Sequence, residues 1–120
     1  MAELTIDGVG IVEAPEGKRL VRAIMDAGVD ILHRCGGNAR CTTCRVEFLA
    51  GEPERMTQAE RLKLTENGQL GQFRLSCQCL LTDGMRVRPL MRLSTSGLED
   101  AGPEPEPFIT PEPEWTARPY

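Results

Sequence analysis

The amino-acid sequence predicts an α+β protein, built as a small mixed sheet with a helix packed across it. Two observations lead to this fold class. Short segments in which apolar and polar residues alternate, as in half-buried strands, recur through the first 93 residues. One other segment carries apolar residues at helical spacing, and another has the capping-box spacing of a helix start. The predicted order is two strands, a helix, a cysteine-rich loop, a strand, a second helix and two strands, which a twisted sheet with a covering helix accommodates.

The segment LTIDGVGIV, residues 4–12, predicts a β-hairpin. Asp7-Gly8 is a dipeptide typical of tight turns between antiparallel strands. Apolar residues alternate on both sides of this turn, at Leu4, Ile6, Val9 and Ile11.

The segment PEGKRLVRAIMDAG, residues 15–28, predicts the first helix. Gly28 is suited to its C-terminal cap. Four apolar residues share one helical face, namely Leu20, Ala23, Ile24 and Ala27. The polar residues Arg19, Arg22 and Asp26 are expected to point away from it.

The later segments continue the same pattern. RVEFLAGE, from Arg45, and MRVRPL, from Met85, alternate as strands, and Pro89 marks an edge strand or a strand end. TQAERLKLTENG predicts a short helix, because Thr57 and Glu60 have the spacing of a capping box. Its neighbours Met56, Leu62 and Leu64 are interpreted as core or helix packing. FRLSCQCLL, residues 73–81, predicts a further strand.

Composition changes near residue 94. We expect one domain over residues 1–93 and an acidic tail over residues 94–120, rich in Pro and Glu and extended or disordered on its own. Residues 99–114 carry six acidic residues and no Lys or Arg, whereas residues 1–98 have a net charge of +1. No basic run indicates nucleic acid, and no apolar run indicates a signal peptide or a membrane span. We therefore expect a monomer in a reducing cytoplasm.

Five cysteines in a reducing compartment indicate metal binding rather than a disulfide framework. Their spacing is Cys35-x5-Cys41-x2-Cys44, followed by Cys77 and Cys79. A four-thiolate set of this kind suits zinc or an iron-sulfur cluster. Zinc knuckles made of the last four cysteines would leave Cys35 unused, and a cluster is the better match. The two glycines after Cys35 let backbone N–H groups approach sulfur closely.

Three segments together resemble the 2Fe-2S ferredoxins of the β-grasp fold: CGGNARCTTC, RLSCQ and the upstream PEGKRLVRAIMDAGVDILHRC. The resemblance covers about residues 3–93, and the five-residue first gap is that of the adrenodoxin and putidaredoxin subclass. It implies one 2Fe-2S cluster held by Cys35, Cys41, Cys44 and Cys77. Arg45 stands where that subclass often has a His, and the helix after Thr57 carries basic residues where partner-docking acidic ones are usual.

Other residues near the cysteines have two interpretations each. Cys79 is either a small buried side chain beside the cluster or a reserve ligand or redox thiol. His33 is a ligand only if it replaces a cysteine, as in Rieske centres. Arginines adjacent to ligand positions either stabilise a reduced, more negative cluster or are simply solvated, namely Arg34, Arg40, Arg45 and Arg74.

The function that the resemblance implies is one-electron transfer rather than enzymatic catalysis. The expected partners are a flavin-dependent ferredoxin reductase and a redox acceptor protein such as a monooxygenase. An accessory role in iron-sulfur cluster assembly is the first alternative. A zinc-binding interaction module is the second.

Overall fold

The computed structural model describes residues 1–120 as seven strands, three α-helices and one 3₁₀ turn. In chain order these are β1 Ala2–Ile6, β2 Gly10–Ala14, α1 Leu20–Asp26, β3 Arg45–Ala50, β4 Arg55–Thr57, α2 Gln58–Glu66, β5 Arg74–Leu75, the 3₁₀ turn Ser76–Gln78, β6 Met85–Pro89, α3 Leu93–Ser96 and β7 Trp115–Ala117. The longest helix has nine residues, and none is long and apolar enough to cross a bilayer.

Five strands form the main sheet in the order β2-β1-β6-β3-β5. The first and last of its long strands, β1 and β6, are parallel neighbours at the centre, and the other pairs are antiparallel. The predicted mixed α+β architecture is confirmed. Pro89 is the last residue of β6, so its missing N–H falls at a strand end, as expected.

The core lies between this sheet and α1. The inner face of β1 buries Leu4 and Ile6, which pair in register with Met85 and Val87 of β6. Helix α1 covers them with its own apolar face, on which Leu20, Val21, Ala23 and Ile24 are buried. Complete burial of a Leu or Ile side chain stabilises the fold by about 1.5–3 kcal/mol. This contact holds α1 against the sheet. Arg19, the residue before α1, contacts Gly37 of the cysteine-rich loop.

The predicted hairpin is present, but its second strand has the opposite phase. Cross-strand partners face the same side of a sheet, and Ile11 pairs with the outward-facing Thr5, whereas Val12 pairs with Leu4. Consequently Ile11 and Val9 are exposed, at 66% and 45%. The three-residue turn between the strands shifts the alternation by one position.

The prediction of a continuous strand over residues 73–81 is wrong. Strand β5 stops after Leu75, and a 3₁₀ turn follows. The turn forms because Ser76 bonds the Cys44 carbonyl oxygen with both its backbone N (3.1 Å) and its hydroxyl (2.7 Å). The chain is thereby pulled out of the sheet and towards the loop that precedes β3.

Helix α2 begins as the sequence predicts, since Thr57 Oγ1 accepts a hydrogen bond of 3.1 Å from Glu60 N. The reciprocal half of the capping box is absent, because the Glu60 carboxylate turns inward to Arg74. Met56 and Leu64 are buried as expected. Leu62 is 59% exposed and does not belong to the core.

Residues 97–120 run back along the body. Their ordered contacts include the hydrogen bond from His33 N to Ala101 O (2.9 Å) and the pairing of β7 with β4. Ile109 of this segment is buried. The division of the chain into a domain over residues 1–93 and a separate tail concerns independent folding and stays a prediction.

Candidate cluster-binding site

The cysteine-rich loop, residues 35–44, is held in a conformation that directs backbone N–H groups at sulfur. Four of its residues have positive φ: Gly36 (74°), Gly37 (84°), Ala39 (58°) and Thr42 (59°). Asn38 N and Arg40 N donate to Cys35 Sγ at 3.3 and 3.4 Å. Backbone donors of this kind stabilise an anionic sulfur.

The cysteines influence one another's pKa in two pairs, Cys35 with Cys41 and Cys44 with Cys77. In the first pair, a hydrogen bond from the Cys41 thiol, together with the loop N–H groups, lowers the pKa of Cys35 to about 4 against the opposing effect of burial. In the second pair, a hydrogen bond from the Cys44 thiol lowers the pKa of Cys77. The pKa of Cys41 and of Cys44 is raised, because each keeps its proton to donate to its partner and because burial disfavours the thiolate.

The two pairs differ in exposure. Cys44 and Cys77 are buried, at 3% and 0%, whereas Cys35 and Cys41 are partly exposed. The four thiols therefore reach from the core to the surface of the loop. They do not surround a single point, since no group of three or more His, Cys, Asp or Glu side chains is placed to hold one metal ion.

Cys79 lies outside both pairs. It is 1% exposed, and its thiol donates to Leu75 O at 3.4 Å. Burial raises its pKa well above the usual value for a thiol. This placement agrees with the expectation of a small buried side chain.

His33 is buried, and its Nδ1 lies 2.9 Å from Pro103 O. A carbonyl oxygen only accepts, so Nδ1 carries the proton and donates. The imidazole thus contributes to attaching the C-terminal segment, and its Nδ1 is not free to bind a metal.

The four arginines selected from the sequence have separate roles. Arg34 is exposed and pairs with Asp100 (2.9 Å). Arg40 is exposed beside the loop. Arg45 bonds Thr42 O and Oγ1 and lies 4.2 Å above the Phe73 ring.

Arg74 is buried and ion-paired with Glu60 at 2.8 Å. Arg74 therefore stabilises the fold and is not a solvated residue at the surface of the cysteine-rich loop.

The most buried cation at the site is one that sequence reasoning placed on the solvent side. Arg19 is 0% exposed. Its Nε donates to Cys77 O (2.7 Å), its Nη1 to Glu106 O (3.0 Å) and its Nη2 to Gly37 O. Arg19 is the residue before α1 and has an extended backbone (φ −59°, ψ 125°), so the helical face of α1 does not determine where it points.

Gly37 is required where the loop meets Arg19. A Cβ at this position would lie 2.7 Å from Arg19 Nη2 and 3.0 Å from Pro105 Cβ. The first contact is shorter than Cβ atoms show and the second is tight, so Arg19 would have to shift, and the positive φ adds strain. The glycine pair after the first cysteine was the only sequence signal of this close approach.

Comparison with known proteins agrees with this geometry. The model of the family described as "2Fe-2S iron-sulfur cluster binding domain" matches residues 4–82. Rhodocoxin of Rhodococcus erythropolis is 36% identical over 86 residues, which are 64% of this chain and 80% of rhodocoxin. The chain also matches one polypeptide of the Na(+)-translocating NADH-quinone reductase of Methylococcus capsulatus, with 31% identity over 71% of this chain, but it spans only 21% of that polypeptide.

Among solved structures, reduced putidaredoxin from Pseudomonas putida is similar with a TM-score of 0.55 and 23% identity, over 76% of this chain and 99% of that one. An ISC-like 2Fe-2S ferredoxin from the same species is similar with a TM-score of 0.58 and 22% identity, over 73% and 91% of the two chains. At these identities the likeness concerns the fold, which is that of the β-grasp ferredoxins.

The chain therefore belongs to the 2Fe-2S iron-sulfur cluster binding domain family. It is a ferredoxin of the adrenodoxin and putidaredoxin type and takes one 2Fe-2S cluster. The donor set fits that group, because two thiol pairs and inward N–H groups match two irons and anionic sulfur. The zinc-binding module considered from the sequence is not retained.

Proposed function

We propose that Cys35, Cys41, Cys44 and Cys77 are the four ligands of the cluster, with Cys35 and Cys41 on one iron and Cys44 and Cys77 on the other. The observation that carries this assignment is that Ser76 N and Oγ bond the Cys44 carbonyl oxygen, which brings the Cys77 turn to the buried end of the cysteine-rich loop. Cys35 and Cys41 lie at its partly exposed end. A 2Fe-2S cluster needs four thiolates, two for each iron. Cys79 is excluded because its thiol bonds a backbone carbonyl outside both pairs.

The protein is a one-electron carrier. When bound, the cluster supplies a one-electron couple at neutral pH without a catalytic acid, base or nucleophile. The chain holds the ligands in place through the loop N–H groups and keeps Cys44 and Cys77 away from water. The partly exposed pair, Cys35 and Cys41, is the side at which an electron enters and leaves, since transfer requires a partner within a short distance.

We infer a flavin-dependent reductase as electron donor and a redox protein such as a monooxygenase as acceptor. One electron is taken from the first and one is given to the second. Support comes from the similarity to rhodocoxin and putidaredoxin and to one polypeptide of a quinone reductase. Action as a monomeric carrier in the cytoplasm, rather than as an enzyme, is part of the same proposal.

A role in iron-sulfur cluster assembly is the second candidate. The observation that favours it is the similarity in fold to an ISC-like ferredoxin. The two roles differ in partner rather than in cofactor. A carrier is reduced by a reductase and reoxidised by an oxygenase, whereas an assembly ferredoxin binds the scaffold and the sulfur donor.

Visible and EPR spectra before and after dithionite test the cofactor, and a reductase and acceptor screen tests the role. We expect a red-brown protein that becomes EPR-active on addition of one electron per chain. Stoichiometric reduction by a flavin reductase followed by reoxidation by a monooxygenase supports the carrier. Reduction without reoxidation, together with stable binding to a cluster scaffold, supports the assembly role, and a colourless protein with one zinc per chain contradicts both.

A further inference from the structure

Arg19 connects three segments that are far apart in sequence. Its guanidinium donates to the carbonyl oxygens of Cys77, of Gly37 and of Glu106. These belong to the 3₁₀ turn that carries one proposed ligand, to the cysteine-rich loop and to the C-terminal segment. All three contacts are to backbone oxygens, so they persist for any side chain at those positions except where it obstructs the approach, as at Gly37.

This buried cation has no carboxylate partner. Arg19 takes part in none of the ion pairs of the molecule, although it is fully buried. Carbonyl oxygens satisfy its N–H groups but carry no net charge. An uncompensated charge in the interior costs several kcal/mol, and arginine does not lose its proton to avoid that cost. Arg19 therefore keeps its full positive charge inside the fold, in contact with the cysteine-rich loop.

The cysteines of the site interact with this charge, and Cys77 also contacts Arg19 through its carbonyl oxygen. Burial lowers the pKa of the Arg19 guanidinium, and the charges of Cys77, Cys44 and Cys35 oppose that effect. Three of the four proposed ligands thus interact with this one side chain. Four thiolates and a cluster that gains negative charge on reduction supply the counter-charge that Arg19 lacks.

We propose that Arg19 is a positioning residue that acts as the internal counter-ion of the cluster, fixing the Cys77 turn against the loop and raising the reduction potential. The inference rests on the four-cysteine site proposed above. Its physical basis is that a cation stabilises the reduced, more negative state more than the oxidised one.

The C-terminal segment makes this charge effective. Pro105 Cβ lies 3.0 Å from the place that a Cβ on Gly37 would occupy. Glu106 O accepts a hydrogen bond from Arg19 Nη1. Nearby, Gln78 Nε2 donates to Thr110 O at 2.9 Å and lies 3.6 Å from Cys77 Sγ. By covering the guanidinium, these residues keep water and salt from screening it.

Potentiometric titration of full-length holoprotein tests the proposal with three variants. Arg19→Gln removes the charge, Arg19→Lys keeps it while losing the planar fork, and Arg22→Gln is the matched control. Arg22 also bonds the C-terminal segment, through Pro105 O at 2.5 Å, but it touches neither Gly37 nor Cys77. EPR line shape and the rate of iron release to a chelator are recorded for each.

For Arg19→Gln we expect the ratio of reduced to oxidised protein at a fixed potential to fall about tenfold, which is about 59 mV for one electron. The shift persists up to about 1 M salt, because a buried charge is poorly screened. Arg19→Lys keeps most of the potential but releases iron faster than wild type, since an ammonium cannot hold three carbonyls in the same way. Arg22→Gln matches wild type in potential.

A potential for Arg19→Gln equal to that of Arg22→Gln overturns the proposal. If Arg19→Gln does not retain the cluster, the potential of Arg19→Lys alone tests the proposal. A tenfold drop in the ratio of reduced to oxidised Arg19→Lys overturns it, because residue 19 then acts through packing rather than through its charge. Failure of the proposed function looks different, because the wild-type protein itself would then lack a 2Fe-2S spectrum or, if only the ligand assignment fails, Cys77→Ser would keep that spectrum.

Discussion

Arg19 and Arg74 are the two largest fully buried side chains of the protein, and they reach that state in different ways. Arg74 lies against Glu60, which bonds its Nε at 2.8 Å and its Nη2 at 3.0 Å and also accepts from Leu75 N. Arg19 has only carbonyl oxygens around it. Arg74 thus has a carboxylate counter-charge within the polypeptide, whereas Arg19 has none.

The difference indicates that Arg74 is buried for structural reasons, whereas the burial of Arg19 is related to function. A buried ion pair such as Glu60–Arg74 fixes β5 to α2, and breaking it leaves a lone charge in the interior. Arg19 is instead held by carbonyl oxygens, one of which belongs to Gly37 of the cysteine-rich loop. Its charge is therefore placed beside the loop that we propose as the binding site of the cluster.

The largest effect is expected when Arg74 loses the carboxylate of Glu60. Glu60→Gln leaves Arg74 buried without its principal counter-charge, since Glu52 contacts it only at 3.4 Å. We expect the free energy of unfolding to fall by about 3–5 kcal/mol, as measured by urea denaturation of the holoprotein. Glu66→Gln, on the exposed side of the same helix, is the control and should differ from wild type by less than about 0.5 kcal/mol. Equal stabilities of the two variants would mean that the ion pair is not what anchors β5.

A smaller effect is expected from displacing Arg19 without changing its charge. Gly37→Ala places a methyl group 2.7 Å from Arg19 Nη2, which three hydrogen bonds prevent from moving freely. Gly28→Ala is the matched control, because Gly28 has nearly the same φ (88° against 84°) and nothing within 4 Å of a Cβ. The control loses about 1–2 kcal/mol from backbone strain alone.

Gly37→Ala should lose about 1–3 kcal/mol more than this control. It should also release iron faster, and the rate is measured by loss of visible absorbance in the presence of a chelator. Iron release at the same rate in both variants would show that Arg19 is not held tightly against the loop.

The smallest effect is expected at Arg45, whose guanidinium is only half-buried. Arg45→Lys loses the stacking on Phe73 and at least one bond to Thr42 but keeps the charge. We expect a loss of about 0.5–1 kcal/mol in stability, seen as a small decrease in the urea midpoint, and an unchanged potential. A potential shift as large as that of Arg19→Gln would place the electrostatic control of the site at Arg45 instead.

Much of the fold could be predicted from the sequence because short-range patterns carried it. Helical spacing located α1, a capping box located α2, and alternation located β3 and β6. The errors have long-range causes. The strand expected over residues 73–81 ends early because Ser76 bonds a carbonyl 32 residues away, and Arg19 turns inward because its three acceptors lie 18, 58 and 87 residues away.

The cysteines of the site could be selected from spacing and resemblance, but their pairing could not. Hydrogen bonds from Ser76 to the Cys44 carbonyl oxygen bring the 3₁₀ turn, which carries Cys77, to the residue before β3. The C-terminal segment was expected from its Pro and Glu content to be extended. The hydrogen bonds that join it to the body come from residues with no local pattern, such as His33 and Gln78.

Iron and acid-labile sulfide content, together with visible and EPR spectra, of Cys77→Ser and Cys79→Ser decide which of these two cysteines is a ligand of the cluster. These two cysteines lie two residues apart and are both buried, at 0% and 1%, but only Cys77 belongs to a thiol pair and presents its carbonyl oxygen to Arg19. We expect Cys77→Ser to lose the cluster or to hold it in a severely destabilised form. We expect Cys79→Ser to keep two irons, two sulfides and the wild-type spectra. A bleached Cys79→Ser beside an intact Cys77→Ser would contradict both the ligand assignment and the role of Arg19.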